Sequence, residues 1–330
     1  MMAATKTDNT LWVWGHNSYG NMGFNSPTGD KSSPTQITGT DWSIATCTEF
    51  TVAAIKTDGT LYVWGRNNKG QLGLNENVEG RSSPTQLPGT TWSKFSTANK
   101  DNAMLATKTD NTLWAWGYNG YGSVGDNSTV NRSSPIQIPG TNWAGVKVAG
   151  ETVLANKSDG TLWGWGSNSN GKLGQSNQTN YSSPVQIPGT TWANVSAGGD
   201  NERSTVAIKT DGTMWAWGGN DVGNLGHDNR TDRSSPTQIP GTTWKDVSNG
   251  ADWVLATKTD GTAWAWGKNS HGYLGLSNKQ EKSSPTQIGS NDNWSYMVAG
   301  RPFNSMGVKT DGTFWTWGLG NNGALGQNNN

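Results

Sequence analysis

The side chains that could do chemistry here are few, and their spacing is regular. Asp8, Asp58, Asp110, Asp159, Asp211, Asp260 and Asp311 each stand before Gly or Asn in a Lys-Thr-Asp-Gly-Thr-like segment. Carboxylates on a fixed period could ligate a cation, but a calcium or magnesium loop needs several oxygens converging from neighbouring positions. Each of these aspartates stands alone. His16, His227 and His271 fall in separate segments and share no metal-ligand spacing with Cys47, the chain's one cysteine. A single cysteine also excludes an internal disulfide. No nucleophile is set beside a base, and glycine pairs such as Gly20 and Gly23 do not open a helix as a phosphate loop would. The expectation is a protein that is not an enzyme and carries no metal and no cofactor. The aspartates read as turn formers.

What positions these residues is a repeat. A tryptophan followed by Gly recurs at Trp14, Trp64, Trp116, Trp165, Trp217, Trp266 and Trp317, every 49 to 52 residues. "SSPxQ" keeps the same phase from Ser32, Ser82, Ser133, Ser182, Ser234 and Ser283, and a further tryptophan follows each, at Trp42, Trp92, Trp143, Trp192, Trp244 and Trp294. A fixed period of this length means one supersecondary unit used many times. Of the 20 tryptophans, 19 occupy repeated positions, so they are expected to be packing residues. Trp253 is the exception.

Within one repeat the strand pattern is clear. Asp-Gly and Asp-Asn tolerate the positive φ of a tight hairpin. After it, Met214-Trp215-Ala216-Trp217 places two indoles at i and i+2, on one face of a strand. Proline in "SSPxQ" lacks an N–H and suits an edge strand. Each repeat therefore predicts about four short strands, and seven of them predict an all-β, seven-bladed β-propeller. Residues 1–330 are expected to form one such domain. The first repeat has no preceding W-x-x-φ strand and the last no "SSPxQ" strand, so both seam blades should be incomplete.

The pattern D-G-x-φ-W-x-W-G-x-N-x-x-G-x-φ-G resembles the repeat of the regulator of chromosome condensation 1 (RCC1) family over essentially the whole chain. That resemblance implies a seven-bladed propeller, while functions within the family diverge widely. The loop after the third tryptophan usually carries a histidine in such repeats, and it is missing from every copy here. No repeat holds a long insertion, so the family's nucleotide-exchange activity is not carried over.

Positions that vary between repeats are free of the packing requirement, and they point to recognition. The loop after the third tryptophan contains Glu49 and Phe50, then Lys100 and Asp101, Glu151, then Asp200, Glu202 and Arg203, then Asp252 and Trp253, and finally Arg301 and Phe303. Large, charged and aromatic residues on loops at one end of the blades are the expected form of a binding surface. Trp253, as the odd tryptophan, is expected to carry binding and therefore to lie at the surface or in an interface.

Lys+Arg and Asp+Glu are balanced at 24 each, which is not the basic footprint of a nucleic-acid binder. No window suits membrane insertion. The opening "MMAATKTDNT" lacks the basic and apolar regions of a secretory leader, so a virion or cytoplasmic location is expected. The expected partner is another protein or a neighbouring subunit held through one face. With its Ser-, Thr-, Asn- and Gly-rich blades, the chain reads as a structural or attachment component of a phage particle or bacterial surface. The alternatives are a tectonin-like lectin that binds a glycan, or an intracellular exchange factor or protein inhibitor.

Overall fold

The computed structural model describes residues 1–26, 28–76, 78–97, 103–198, 204–300, 304–320 and 325. They form seven antiparallel sheets in which neighbouring strands follow one another along the chain. The fifth sheet is typical, with strands Trp192–Ala197, Ser204–Lys209, Met214–Gly218 and Arg233–Ile239 in that order. The first sheet (Met2–Thr5, Leu11–Gly15, Lys31–Ile37) and the last (Trp294–Ala299, Asn304–Lys309, Phe314–Gly318) have three strands among the described residues. In the last sheet Phe314 is 62 % exposed, whereas its counterparts Leu61 and Leu113 are fully buried.

The aspartates build the turns. In the second sheet Gly59, at φ 81°, closes the hairpin by donating its N–H to the Lys56 carbonyl at 3.0 Å. Thr60 then donates both its amide and its hydroxyl to Asp58 Oδ1, at 2.9 and 2.6 Å. In the third sheet the same threonine also takes up the half-buried first indole, Trp114 Nε1–H donating to Thr112 Oγ1 at 3.0 Å. The same Trp–Thr–Asp relay recurs at Trp12, Trp215, Trp264 and Trp315. The lysine that opens each turn lies over the tryptophans; Lys108 Nζ is 4.8 Å from the Trp92 ring and 4.5 Å from Trp114.

The chain forms two compact units, one of Met1–Ser158 with Gly164–Ser167 and Asn180–Val185, the other of Asp159–Trp163, Asn168–Thr179 and Gln186–Asn330. In the first, the second-position indole of one sheet enters the loop of the sheet before it. Trp64 donates to the Asn21 carbonyl at 3.0 Å, Trp116 to Gln71 at 3.0 Å and Trp165 to Ser123 at 3.0 Å. The second unit repeats the joint, with Trp217 on Lys172 at 2.8 Å and Trp266 on Asn224 at 3.0 Å. All five indoles are at most 1 % exposed. Third-position indoles then meet the second edge-on, as Trp92 meets Trp116 at 6.0 Å, a favoured aromatic geometry; the Trp42–Trp64 pair is tilted instead.

Glycine is required at this joint. Gly125 has φ +85°, and a Cβ there would lie 2.7 Å from Trp165 Nε1. The earlier glycine of the same loop, Gly122, meets Ser182 of the next "SSPxQ" strand, where a Cβ would come within 2.5 Å of backbone. One loop thus receives both a ring and a strand.

Candidate interaction face

The hairpin between the first and second strands of a sheet turns back at the end where the third strand finishes in Trp-Gly. The Phe50 carbonyl accepts the Arg66 N–H at 3.0 Å, Glu151 accepts Ser167 at 2.9 Å and Asp252 accepts Lys268 at 2.9 Å. Each tip is thereby fixed beside the N-x-x-G loop that follows the Trp-Gly. The loop is held by its own buried asparagine. Asn119 Nδ2–H donates to the carbonyls of Ser128 and Val130 at 3.1 and 3.0 Å, while its Oδ1 accepts the Val124 N–H at 2.8 Å. Asn220 and Asn269 repeat the arrangement. A rigid frame therefore carries tips whose side chains are free to differ.

In the first unit two sheets contribute to one cluster. Tyr19 and Phe50 meet edge to face at 5.1 Å, and the guanidinium of Arg66 lies over both rings, 4.8 Å from Tyr19 and 5.4 Å from Phe50. All three side chains are half-buried, and Glu49 beside them is exposed. A cleft of about 260 Å³ lined by Ser18, Tyr19, Glu79, Gly80 and Ser82 adjoins the cluster. Further along the same unit, burial raises the phenol pKa of Tyr118 above its ordinary value, with the Glu151 carboxylate adding to the shift. Tyr121, in the same loop, is 40 % exposed.

In the second unit Asp252 is ion-paired with Lys268 at 3.6 Å. Trp253 is where the sequence reading needs correction. It is 1 % exposed, opens the strand Trp253–Lys258, and stacks on Tyr273. Its N–H donates to Ser305 Oγ at 3.1 Å. The expected surface anchor is a core residue, because Tyr273 offers a ring to lie on and Gly250 leaves room beside it; a Cβ on Gly250 would sit 2.7 Å from the indole.

Glu49, Phe50, Glu151 and Asp252 thus occupy hairpin tips, of which Phe50 is drawn into a cluster and Asp252 into an ion pair. Lys100, Asp101, Asp200, Glu202, Arg203, Arg301 and Phe303 lie outside the described residues. Arg66 was missed by sequence reasoning. Its signal is the position directly after Trp-Gly, which reads His16, Arg66, Tyr118, Ser167, Gly219, Lys268 and Leu319 across the copies. Among the described residues, no three His, Cys, Asp or Glu side chains are placed to hold a metal ion. His227 is half-buried, and desolvation lowers its pKa from the ordinary value. Among the described residues no helix is long and apolar enough to cross a membrane.

A family profile described as "Regulator of chromosome condensation (RCC1) repeat" matches residues 58–98, 110–155, 159–201, 211–257 and 260–304, and a second profile of the same description matches 43–71. No curated protein sequence matches the chain. Among solved structures, human WBSCR16 is 18% identical with a TM-score of 0.77, over 96% of this chain and 91% of that one. Prp20p from Saccharomyces cerevisiae, which binds Gsp1p and histones, is 15% identical with a TM-score of 0.78, over 99% and 85%. Yeast RCC1 (Prp20) in complex with Kap60 is 16% identical with a TM-score of 0.76, over 98% and 82%. The shared fold is the all-β, seven-bladed propeller.

Proposed function

Because this chain belongs to the RCC1 repeat family, we propose that it is a non-catalytic propeller that binds another protein through the hairpin-tip face. Residues 1–330 serve as one domain in this reading. The observation that carries it is the Tyr19–Arg66–Phe50 cluster. Aromatic side chains give large contact area for little lost rotamer freedom, and tyrosine and arginine are enriched among binding hot spots. None of the three is a repeated position of the fold: the copies of Arg66 include Ser167 and Gly219, and those of Tyr19 include Lys69 and Val222. The yeast relative, which binds Gsp1p and histones, supports protein binding by this architecture.

The finer proposal is a structural or attachment part of a phage particle or bacterial surface. A chain with zero formal net charge and 45 glycines among polar blades supports it. The test replaces Glu49 with photo-crosslinking p-benzoylphenylalanine and, as a control, Thr109 in the turn at the opposite end of the sheets. Irradiation in an extract of the native host should give a protein adduct from position 49 and none from position 109. An adduct from position 109 alone, or from neither, overturns the choice of face.

A further inference from the structure

A second site lies elsewhere in the first unit, in the cleft of about 460 Å³ between the first and second sheets. We infer that this cleft binds a neutral pyranose sugar. One wall carries Phe24, Asn25 and Thr38 from the first sheet's connections, and the other carries Tyr62, Trp42 and Lys56. Its volume falls in the usual range for small-molecule sites, which are largely apolar with a few placed polar groups.

The chemistry of the walls selects the ligand class. Phe24 and Tyr62 are half-buried; Lys31 Nζ lies over the Phe24 ring at 5.8 Å and Lys56 Nζ over the Tyr62 ring at 4.9 Å, so the apolar C–H face of a pyranose would rest on the opposite face of either ring. Lys56, which lines the cleft, has its Nζ 3.1 Å from Oδ2 of Asp41, the residue before the lining Trp42, so a donor of the wall has an acceptor beside it. Each sugar hydroxyl both donates and accepts, and two adjacent hydroxyls match such a pair. The pair is neutral overall, so it makes no demand for a charged ligand. Asn25, exposed at the rim, adds an amide with both donor and acceptor.

The repeat shows why this cleft and not its counterparts. The residue after the second glycine is Phe24 here but Leu74, Asp126, Gln175, His227 or Leu276 in the next five copies. Tyr62 replaces the tryptophan that the other six copies have at the first aromatic position. Among the described residues, only this cleft therefore pairs a ring on one wall with the smaller phenol on the other. The comparable cleft beside Trp294 has Leu276 and Gly289 where this one has Phe24 and Thr38.

The test is saturation-transfer NMR on the folded chain with methyl pyranosides of glucose, galactose, mannose and N-acetylglucosamine, at about 1 mM, near the weak end of measurable affinity. At least one should show transfer focused on its ring protons. Phe24→Ala and Lys56→Met should each weaken that signal roughly tenfold in apparent affinity, while Leu276→Ala leaves it unchanged. Thermal melting of each variant separates a lost site from a lost fold. Absence of transfer from all four sugars, or binding indifferent to Phe24→Ala, overturns the inference.

Discussion

The indole of Trp253 lies on the phenol ring of Tyr273, with centroids 4.7 Å apart and planes 24° from parallel. Its N–H donates to Ser305 Oγ, and Ser305 in turn donates to the Tyr273 carbonyl at 2.8 Å, which also accepts the Trp317 N–H at 2.7 Å. Trp253→Ala should cost about 3–5 kcal/mol as a large-to-small change in a core. Trp253→Phe keeps a ring but removes the donor, and should cost about 1 kcal/mol. Urea denaturation of both variants checks the order; equal losses would assign the whole effect to the hydrogen bond.

The joint between Gly125 and Trp165 predicts coupled losses. Trp165 is fully buried, so Trp165→Ala should cost about 3–5 kcal/mol. Gly125→Ala drives a methyl toward the indole and also strains a backbone at φ +85°, at about 1–3 kcal/mol. In the Trp165→Ala background the clash disappears and only the backbone strain remains. A double-mutant cycle should therefore show the glycine substitution costing less there. Additive losses would mean that the ring and the glycine do not meet.

Acid should loosen the hairpins together. Thr hydroxyl bonds, followed by Thr amide bonds, lower the pKa of Asp8, Asp58, Asp110, Asp211, Asp260 and Asp311 from the ordinary 3.8. A carboxylate with a lower pKa folded than unfolded stabilises the fold above its unfolded pKa. That contribution fades as pH falls through the folded value. The melting temperature should vary little on this account between pH 7 and 5, then fall below about pH 4. Thr112→Val should reduce the acid dependence, and a melting temperature that rises on acidification would contradict the sign.

The turn lysines should matter for stability although they are charged. Lys108 sits over Trp92 and Trp114, so Lys108→Met, which keeps the stem, should cost about 0.5–2 kcal/mol. Chemical denaturation measures it directly. A neutral or stabilising result would leave the lysine as a solvated turn residue.

The repeated residues could be read for their roles because a position used in every blade is answered by the packing every blade needs. The i, i+2 indoles and the Asp-Gly turns fall where their spacing places them. Trp253 was misread for the same reason. Its strand starts with Thr51, Ala103, Thr152 or Ser204 in other sheets, so a tryptophan there looked surplus to the core. The room for it comes from Gly250, the ring from Tyr273 and the acceptor from Ser305, which lies 52 residues further along. Such a compensated set becomes visible only when the strands are placed. The Arg66 cluster was hidden in a similar way, since Tyr19 belongs to one repeat and Phe50 to the next.

The glycine–indole joint has a direction. The loop of one repeat is the socket and the indole of the following repeat is the plug, as in Gly174 receiving Trp217 and Gly226 receiving Trp266. A stretch of 49 to 52 residues therefore carries one complete plug and one complete socket. Duplicating or excising such a stretch in phase leaves the chemistry of each remaining connection between neighbours unchanged. A gene built this way can gain or lose material by unequal recombination in whole cassettes, without new compensating substitutions at the point of exchange. Phe50 at a tip and Phe24 in the cleft can meanwhile diverge copy by copy, because neither is the glycine or the indole of the joint.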